Sequence, residues 1–348
     1  MTKKLHPKRD ALLEYIKTHP SCSSKEIYEG ADLDLSYATV KRILKNFVDE
    51  KLVEISGVGK ATKYFLTPHE ILRPVEVEEY FKKEIDERKI KNGFDHSVIE
   101  ALEQLSIFTE EEYARLSELQ NMHHANVSKL SAQQYNRDLE HLAIDLSWKS
   151  SQIEGNTYSL LETEILLKEK LTASGKTKDE AVMLLNHKEA LDFIIADPFY
   201  VIPLTVARIE DIHSILMKEL GVGKNIRRRA VAISGTNYKP LDNEFQIKEA
   251  MEAMCALVNE KENVFEKALL ALVLLSYIQA FDDGNKRTAR IISNAILISS
   301  SYCPISFRTV NSLDYKKAML LFYEQNNITA MKRIFIEQFE FAVRTYFG

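Results

Sequence analysis

The chain has 348 residues, 45% hydrophobic and 28% charged, the balance of a folded protein of two or three domains rather than a disordered one. Its net charge of -5 excludes wholesale coating of nucleic acid, so any DNA contact must come from a local patch. Eleven glycines and eight prolines are few for this length and favour helices over a strand-and-turn architecture.

The basic start Met1-Thr2-Lys3-Lys4-Leu5 leads into no apolar segment of the signal-peptide kind. The longest apolar run, 268–278, is too short to cross a bilayer. Cys22, Cys255 and Cys303 are far apart and form no CxxC pair, which reads as reduced thiols in a soluble, cytoplasmic protein.

Leu12, Leu13 and Ile16 share one face of a first helix, which Pro20 and the serines after it break. Ser23 or Ser24 caps a short second helix, and Ser36 caps a third that turns Val40, Ile43, Leu44 and Phe47 inward. The opposite face of that third helix shows Tyr37, Thr39, Lys41, Arg42 and Lys45. Two β-branched runs, 52–55 and 62–66, then flank a glycine turn and predict a hairpin with Lys60 and Lys63 near its tip. Three helices and a hairpin resemble a winged helix-turn-helix, whose third helix would enter the major groove. The same face also suits a module used for protein contacts, its charges solvated.

Pro68 and Pro74 predict a linker, and the charged stretch 75–91 a connecting helix. Thr109 caps another helix, with acids in its first turn. The domain reading is 1–67 for the first module, 68–109 for a helical linker and 110–348 for the rest. Within the last, Glu154 stands at the end of a helical pattern, before the stop signal Gly155-Asn156. A carboxylate there faces the negative end of the helix dipole, so it is either solvated or paired with another group.

The run 268–278 predicts a fully buried helix, followed by the turn Asp282-Asp283-Gly284-Asn285 and a new helix carrying Arg287 and Arg290. This turn leaves the N–H groups of Gly284, Asn285 and Lys286 free at a positive helix end, a ready anion site. Arg287 and Arg290, three apart, lie on one face and suit phosphate oxygens. Asp283 is an oxygen ligand suited to Mg²⁺ held together with substrate phosphates.

The string Phe281-Asp282-Asp283-Gly284-Asn285-Lys286-Arg287, with Arg290, resembles the Fic family motif H-x-F-x-[D/E]-G-N-[G/K]-R-x-x-R. The resemblance covers about 110–348. It implies a mainly α fold, a helical Fic-type domain with a small β-hairpin flap, joined here to the N-terminal winged helix. It implies ATP with Mg²⁺ on Asp283, an anion hole of Gly284, Asn285 and Lys286, and phosphate contacts from Arg287 and Arg290. The segment 150–155 is similar to the family's inhibitory helix, [S/T]-x-x-x-E-[G/N], in which Ser150, Glu154 and Gly155 take the motif positions and Glu154 would pair with Arg290. Val231 to Tyr238 resembles the flap that holds a target's main chain, with Ile233, Ser234 and Gly235 at its centre. A second copy of the chain is a further partner expected of such folds, and no membrane partner is expected.

One position departs from the motif. The family's histidine, the general base for the target hydroxyl, is replaced by Gln279, whose amide cannot accept a proton near neutral pH. No histidine follows His213, and both His187 and His213 read as satisfied core residues. The expected function is transfer of AMP from ATP to a protein hydroxyl, autoinhibited by Glu154 and slow or altered because of Gln279. The alternative is an ATP-sensing, DNA-binding transcriptional regulator without transferase activity. Lys286 also resembles the Doc branch, which transfers phosphate, and removal of AMP by water held at Glu154 is a minor further reading.

Overall fold

The computed structural model describes residues 6–91 and 93–347, so the basic start at 1–5 lies outside the described residues. The described residues fall into two compact units divided between Pro74 and Val75.

The first unit contains α1 (His6–Thr18), α2 (Ser24–Gly30), α3 (Tyr37–Asp49) and the strands β1 (Val53–Ser56) and β2 (Lys63–Leu66). Ser23 caps α2 reciprocally with Glu26, and the Ser36 hydroxyl accepts the Thr39 N–H at the start of α3. The strands pair antiparallel, from Val53 opposite Leu66 to Ser56 opposite Lys63. The Tyr64 N–H also donates to the Cys22 carbonyl (2.8 Å), which ties the hairpin to the entry of α2. Leu12, Ile16, Ile27, Ile43, Leu44 and Phe47 close the core, as the helical spacing predicts.

In the second unit the helices are α4 (Val77–Phe81), α5 (Ser97–Glu103), α6 (Glu110–Val127), α7 (Ala132–Ile153), α8 (Leu160–Glu169) and α9 (Lys178–Ala196). They continue with α10 (Val206–Leu216), α11 (Glu244–Glu260), α12 (Val264–Ile278), α13 (Asn285–Ser299), α14 (Ser312–Gln325) and α15 (Thr329–Thr345). Helix α12 is the axis. After a first turn holding Glu266 and Lys267 it is apolar all round but for Ser276, and Leu269, Leu272, Leu274 and Leu275 have no exposed surface. A helix of that composition is stable only when others surround it, and α11, α13, α14 and α15 all pack on it.

Two expectations meet a different outcome. The stretch 75–109 is folded into the second unit rather than strung out as a linker: Glu266 accepts the Ile107 N–H (2.7 Å), and the Glu324 carbonyl accepts the Lys91 N–H (3.0 Å). The flap at 231–238 carries no paired strand. It is an extended loop with a turn at Ser234-Gly235, and among the described residues the only strand ladder is β1–β2.

Shortening a side chain on α12 opens a cavity that its packed neighbours cannot fill. Leu274→Ala is expected to lower stability by about 2–5 kcal/mol in urea unfolding followed by circular dichroism.

Candidate active site

The end of α12 sets the site. Gln279 adopts the left-handed conformation (φ 54°, ψ 54°) and turns the chain out of the helix. The residue is 8% exposed, and its amide is hydrogen-bonded at both nitrogen and oxygen. The nitrogen donates to the Ser276 carbonyl (2.6 Å) and lies 3.4 Å from the Tyr323 hydroxyl, while the oxygen accepts from Asn285 (3.2 Å).

Asn285 closes the turn on itself. Its oxygen accepts the Phe281 N–H (2.8 Å) and its nitrogen donates to the Phe281 carbonyl (2.8 Å). Phe281 is fully buried and stacks on His213, with ring centroids 3.7 Å apart. Both His213 nitrogens face carbonyl oxygens, of Lys224 (3.1 Å) and Asp283 (2.9 Å), and burial lowers its pKa. His213 thus props the turn from beneath. Gly284 must be glycine: its φ is +80°, and a Cβ there would lie 2.7 Å from the Met217 sulfur.

Helix α13 begins at this turn, and the first-turn N–H groups of Asn285, Lys286 and Arg287 have no carbonyl within the helix to receive them. The Gly284 N–H, expected to be free, instead donates to Asp283 Oδ1 (2.6 Å), because that carboxylate is the nearest anion to a positive helix end. The other oxygen of Asp283 accepts from Arg287 (2.9 Å), yet the side chain stays 65% exposed.

Arg290 has no exposed surface. Its Nε donates to the Ser150 hydroxyl (2.7 Å), and its Nη2 donates to the Ser150 carbonyl (3.0 Å) and to Glu154 Oε1 (2.8 Å). Glu154 caps α7, which Gly155 ends at φ +103°. The other Glu154 oxygen accepts from Lys286 (3.3 Å). Burial pushes the Glu154 carboxyl up, but the charges of Arg290 and Lys286 and the Arg290 hydrogen bond outweigh it and hold its pKa at about 2. Of the two readings of Glu154, solvated or paired, the structure has the second.

These residues share a cavity of ≈510 Å³ whose wall includes Glu154, Gln279, Asp283, Lys286, Arg287 and the flap residues Ile233, Ser234 and Gly235. Ser150 and Arg290 have no exposed surface, and Arg290 reaches the wall through its bond to Glu154. Asp282 also faces the cavity and accepts from Arg229 (2.7 Å). Among the described residues no histidine lines it: His187 is fully buried, and burial with the charges of Arg290 and Arg287 drives its pKa well down.

Sequence reasoning missed Arg227. Its guanidinium is buried, forms no ion pair among the described residues, and donates to the carbonyls of Gln279 (2.7 Å), Arg229 (2.6 Å) and Leu241, tying both ends of the flap to the turn. Nothing in the run Arg227-Arg228-Arg229 marks which arginine is buried; only the fold selects it.

In the first unit, Tyr37, Lys41, Arg42 and Lys45 are exposed along α3, and the Lys41 ammonium lies 5.0 Å from the Tyr37 ring centre. None of the three cations enters an ion pair among the described residues. Thr39 is only partly exposed, its hydroxyl taken by Ser36 (2.8 Å). Lys60 is exposed in the hairpin turn, whereas Lys63 pairs with Glu26 (3.0 Å).

Residues 203–297 match the profile of the Fic/DOC family. The chain is 29% identical over 174 residues to "Protein adenylyltransferase Fic" of Nematostella vectensis, covering 48% of this chain and 40% of that protein. The protein of the same name from Drosophila erecta is 28% identical over 164 residues, 45% of this chain and 32% of that one. The chain thus spans well under half the length of these curated relatives. Among solved structures, Fic-1 (aa134–508) from C. elegans superposes with a TM-score of 0.58 at 17% identity, over 68% of this chain and 72% of that one. A Fic domain containing signaling protein from Bacteroides thetaiotaomicron gives 0.54 at 19% identity, over 68% and 93%. These likenesses establish the mostly helical fold. The match to the Fic/DOC family thus covers residues 203–297, the stretch that holds the turn after α12.

Proposed function

We propose that this chain is a Fic-type protein adenylyltransferase held in a restrained state, with ATP as donor and a protein hydroxyl as acceptor. The observation that carries this reading is Glu154 bridging Arg290 and Lys286 at the wall of a cavity shared by the motif turn and the flap. Two cations beside unpartnered helix N–H groups suit the phosphates of a nucleotide. Asp283 fits a magnesium ion that takes one protein carboxylate and fills its remaining positions with phosphate oxygens and water. Among the described residues no cluster of three or more metal-ligating side chains offers a site made by the protein alone. Bound there, Mg²⁺ would neutralise charge on the phosphates.

Two restraints follow from the residues. Glu154 occupies Arg290 and Lys286, so an arriving phosphate must displace a carboxylate. Among the described residues of the wall no histidine or unpaired carboxylate stands ready as a base either: Gln279 is an amide, and Glu154, Asp282 and Asp283 are all ion-paired. The Gln279→His variant suits the local backbone, since histidine tolerates the left-handed region better than most residues. With α-labelled ATP and Mg²⁺, combining Gln279→His with Glu154→Gly is expected to raise label on protein by about 10²–10⁴ over Glu154→Gly alone. Label absent from every variant sinks the transferase reading, and label reaching protein only from γ-labelled ATP moves it to phosphate transfer.

The Glu154 pKa fixes the sign of a pH effect. A carboxyl lowered from 4.5 to about 2 contributes stability that is complete above about pH 4.5 and fades as pH falls toward 2. In carbon-13 NMR the Glu154 carboxyl is expected to titrate near 2 in the native chain, and above the ordinary carboxylate value once Lys286 and Arg290 are both replaced, because burial is then opposed by Arg287 alone.

Gln279, an amide that cannot take a proton near neutral pH and is hydrogen-bonded at nitrogen and oxygen, favours a second reading, a regulator that binds nucleotide without transferring it. Here the first unit acts as a winged helix whose α3 meets DNA phosphates through Lys41, Arg42 and Lys45. Replacing these three by alanine is expected to weaken DNA binding and flatten its dependence on log salt by about 0.9 for each phosphate no longer neutralised. An affinity for DNA that ATP leaves unchanged would count against nucleotide sensing.

A further inference from the structure

The flap stands between two hollows. The reaction cavity lies on one side, and a second space of ≈730 Å³, walled by Ile85, Asp86, Arg88 and the far side of the flap, lies on the other. Ala232, Ser234, Gly235 and Asn237 are exposed, and the loop has no strand ladder of its own. Its position therefore depends on a few point attachments. Arg227 holds the stem. Tyr238 anchors the far end, buried with its hydroxyl on the Tyr277 carbonyl (3.2 Å).

The tip has a separate attachment from 75–91. Arg88 is buried, and its two terminal nitrogens diverge: Nη1 donates to Glu324 Oε1 (3.0 Å) and Nη2 to the Gly235 carbonyl (2.7 Å). Glu324 has no exposed surface and also accepts from the Tyr80 hydroxyl (2.6 Å). The Arg88 guanidinium lies 5.1 Å from the Phe81 ring centre, Lys317 on α14 pairs with Glu78 (2.7 Å), and Asn237 donates to Asp86 (3.1 Å). Glu324 follows Tyr323, which faces Gln279, and α14 also lines the reaction cavity through Met319 and Leu320. One arginine thus spans from the cavity's own helix to the tip of the flap.

We propose that Arg88 is a positioning residue for the acceptor polypeptide: with Glu324 and Tyr80 it fixes the height of the flap over the cavity and leaves nucleotide binding untouched. This rests on the transferase reading in one respect, that the flap carries the polypeptide. A carbonyl locked by a planar fork suits such a role, because a misplacement of about 1 Å costs a reacting group about 10²-fold in rate.

The experiment uses the full chain. Cys22, Cys255 and Cys303 are buried, so a nitroxide on Ser234→Cys reports the flap alone. The variant Arg88→Met/Glu324→Met removes the buried pair without leaving an unmatched charge; Arg88→Lys keeps a cation opposite Glu324 but loses the fork. In either variant the label is expected to become more mobile than in the native chain, with MgATP affinity unchanged. In the Gln279→His background, α-label on protein is expected to fall about tenfold or more against free AMP released to water; pyrophosphate leaves in both reactions. Unchanged label mobility in folded Arg88→Lys and in the double variant overturns the strap. Raised mobility with an unchanged ratio of protein label to free AMP overturns its role toward the polypeptide. Absence of both products in every background tells against the transferase reading, and the nitroxide still decides whether Arg88 holds the flap.

Discussion

Arg290 carries a positive charge with no exposed surface, and the rest of the site is arranged around that charge. Uncompensated, it would cost several kcal/mol. Compensation comes from the last turn of α7, through the Ser150 hydroxyl and carbonyl and the Glu154 carboxylate. The same contact settles a second problem, since a glutamate at a helix C-terminus faces the negative end of the dipole. Each group answers the other's difficulty, so α7 and α13 are held together by charge as well as by apolar packing. An anion that reaches Arg290 must take over the work of Glu154. That makes binding of any such anion and the seating of α7 competing states of one guanidinium.

The turn after α12 is the second constraint. A residue other than glycine in the left-handed region is locally unfavourable and persists where its surroundings over-determine it. Around Gln279 they do: its carbonyl is held by Arg227, its amide by Ser276 and Asn285, and the following Phe281 by His213. The backbone at position 279 is therefore fixed, and the side chain it carries is an amide bonded to Ser276 on α12, to Asn285 on α13 and to Tyr323 on α14.

The flap is organised on a different physical basis from the turn. With no ladder hydrogen bonds, it is held by point attachments, among them two buried arginines bonded to backbone carbonyls, Arg227 at the stem and Arg88 at the tip, and the buried Tyr238 at its far end. Both arginines owe their role to the planar guanidinium, whose diverging donors reach two separate segments at once.

Much of this was legible in the sequence because it is local. The caps at Ser23, Ser36 and Thr109, the hairpin at 53–66, the apolar run of α12, the turn at Gly284 and the arginine pair on α13 each follow from residue types at short spacings. Local pattern also determined that Glu154 closes a helix and that position 279 holds an amide. Tertiary structure alone decided which partner Glu154 takes, because Lys286 and Arg290 lie more than 130 residues away in the chain. It decided that 75–109 folds into the second unit, since a charged stretch reads the same whether it crosses solvent or packs against Glu324 and Glu266. It turned the Gly284 N–H toward Asp283, left 231–238 without strands and chose Arg227 from three consecutive arginines. In each case the deciding contact is set by how the chain packs in three dimensions, and short-range periodicity carries no information about it.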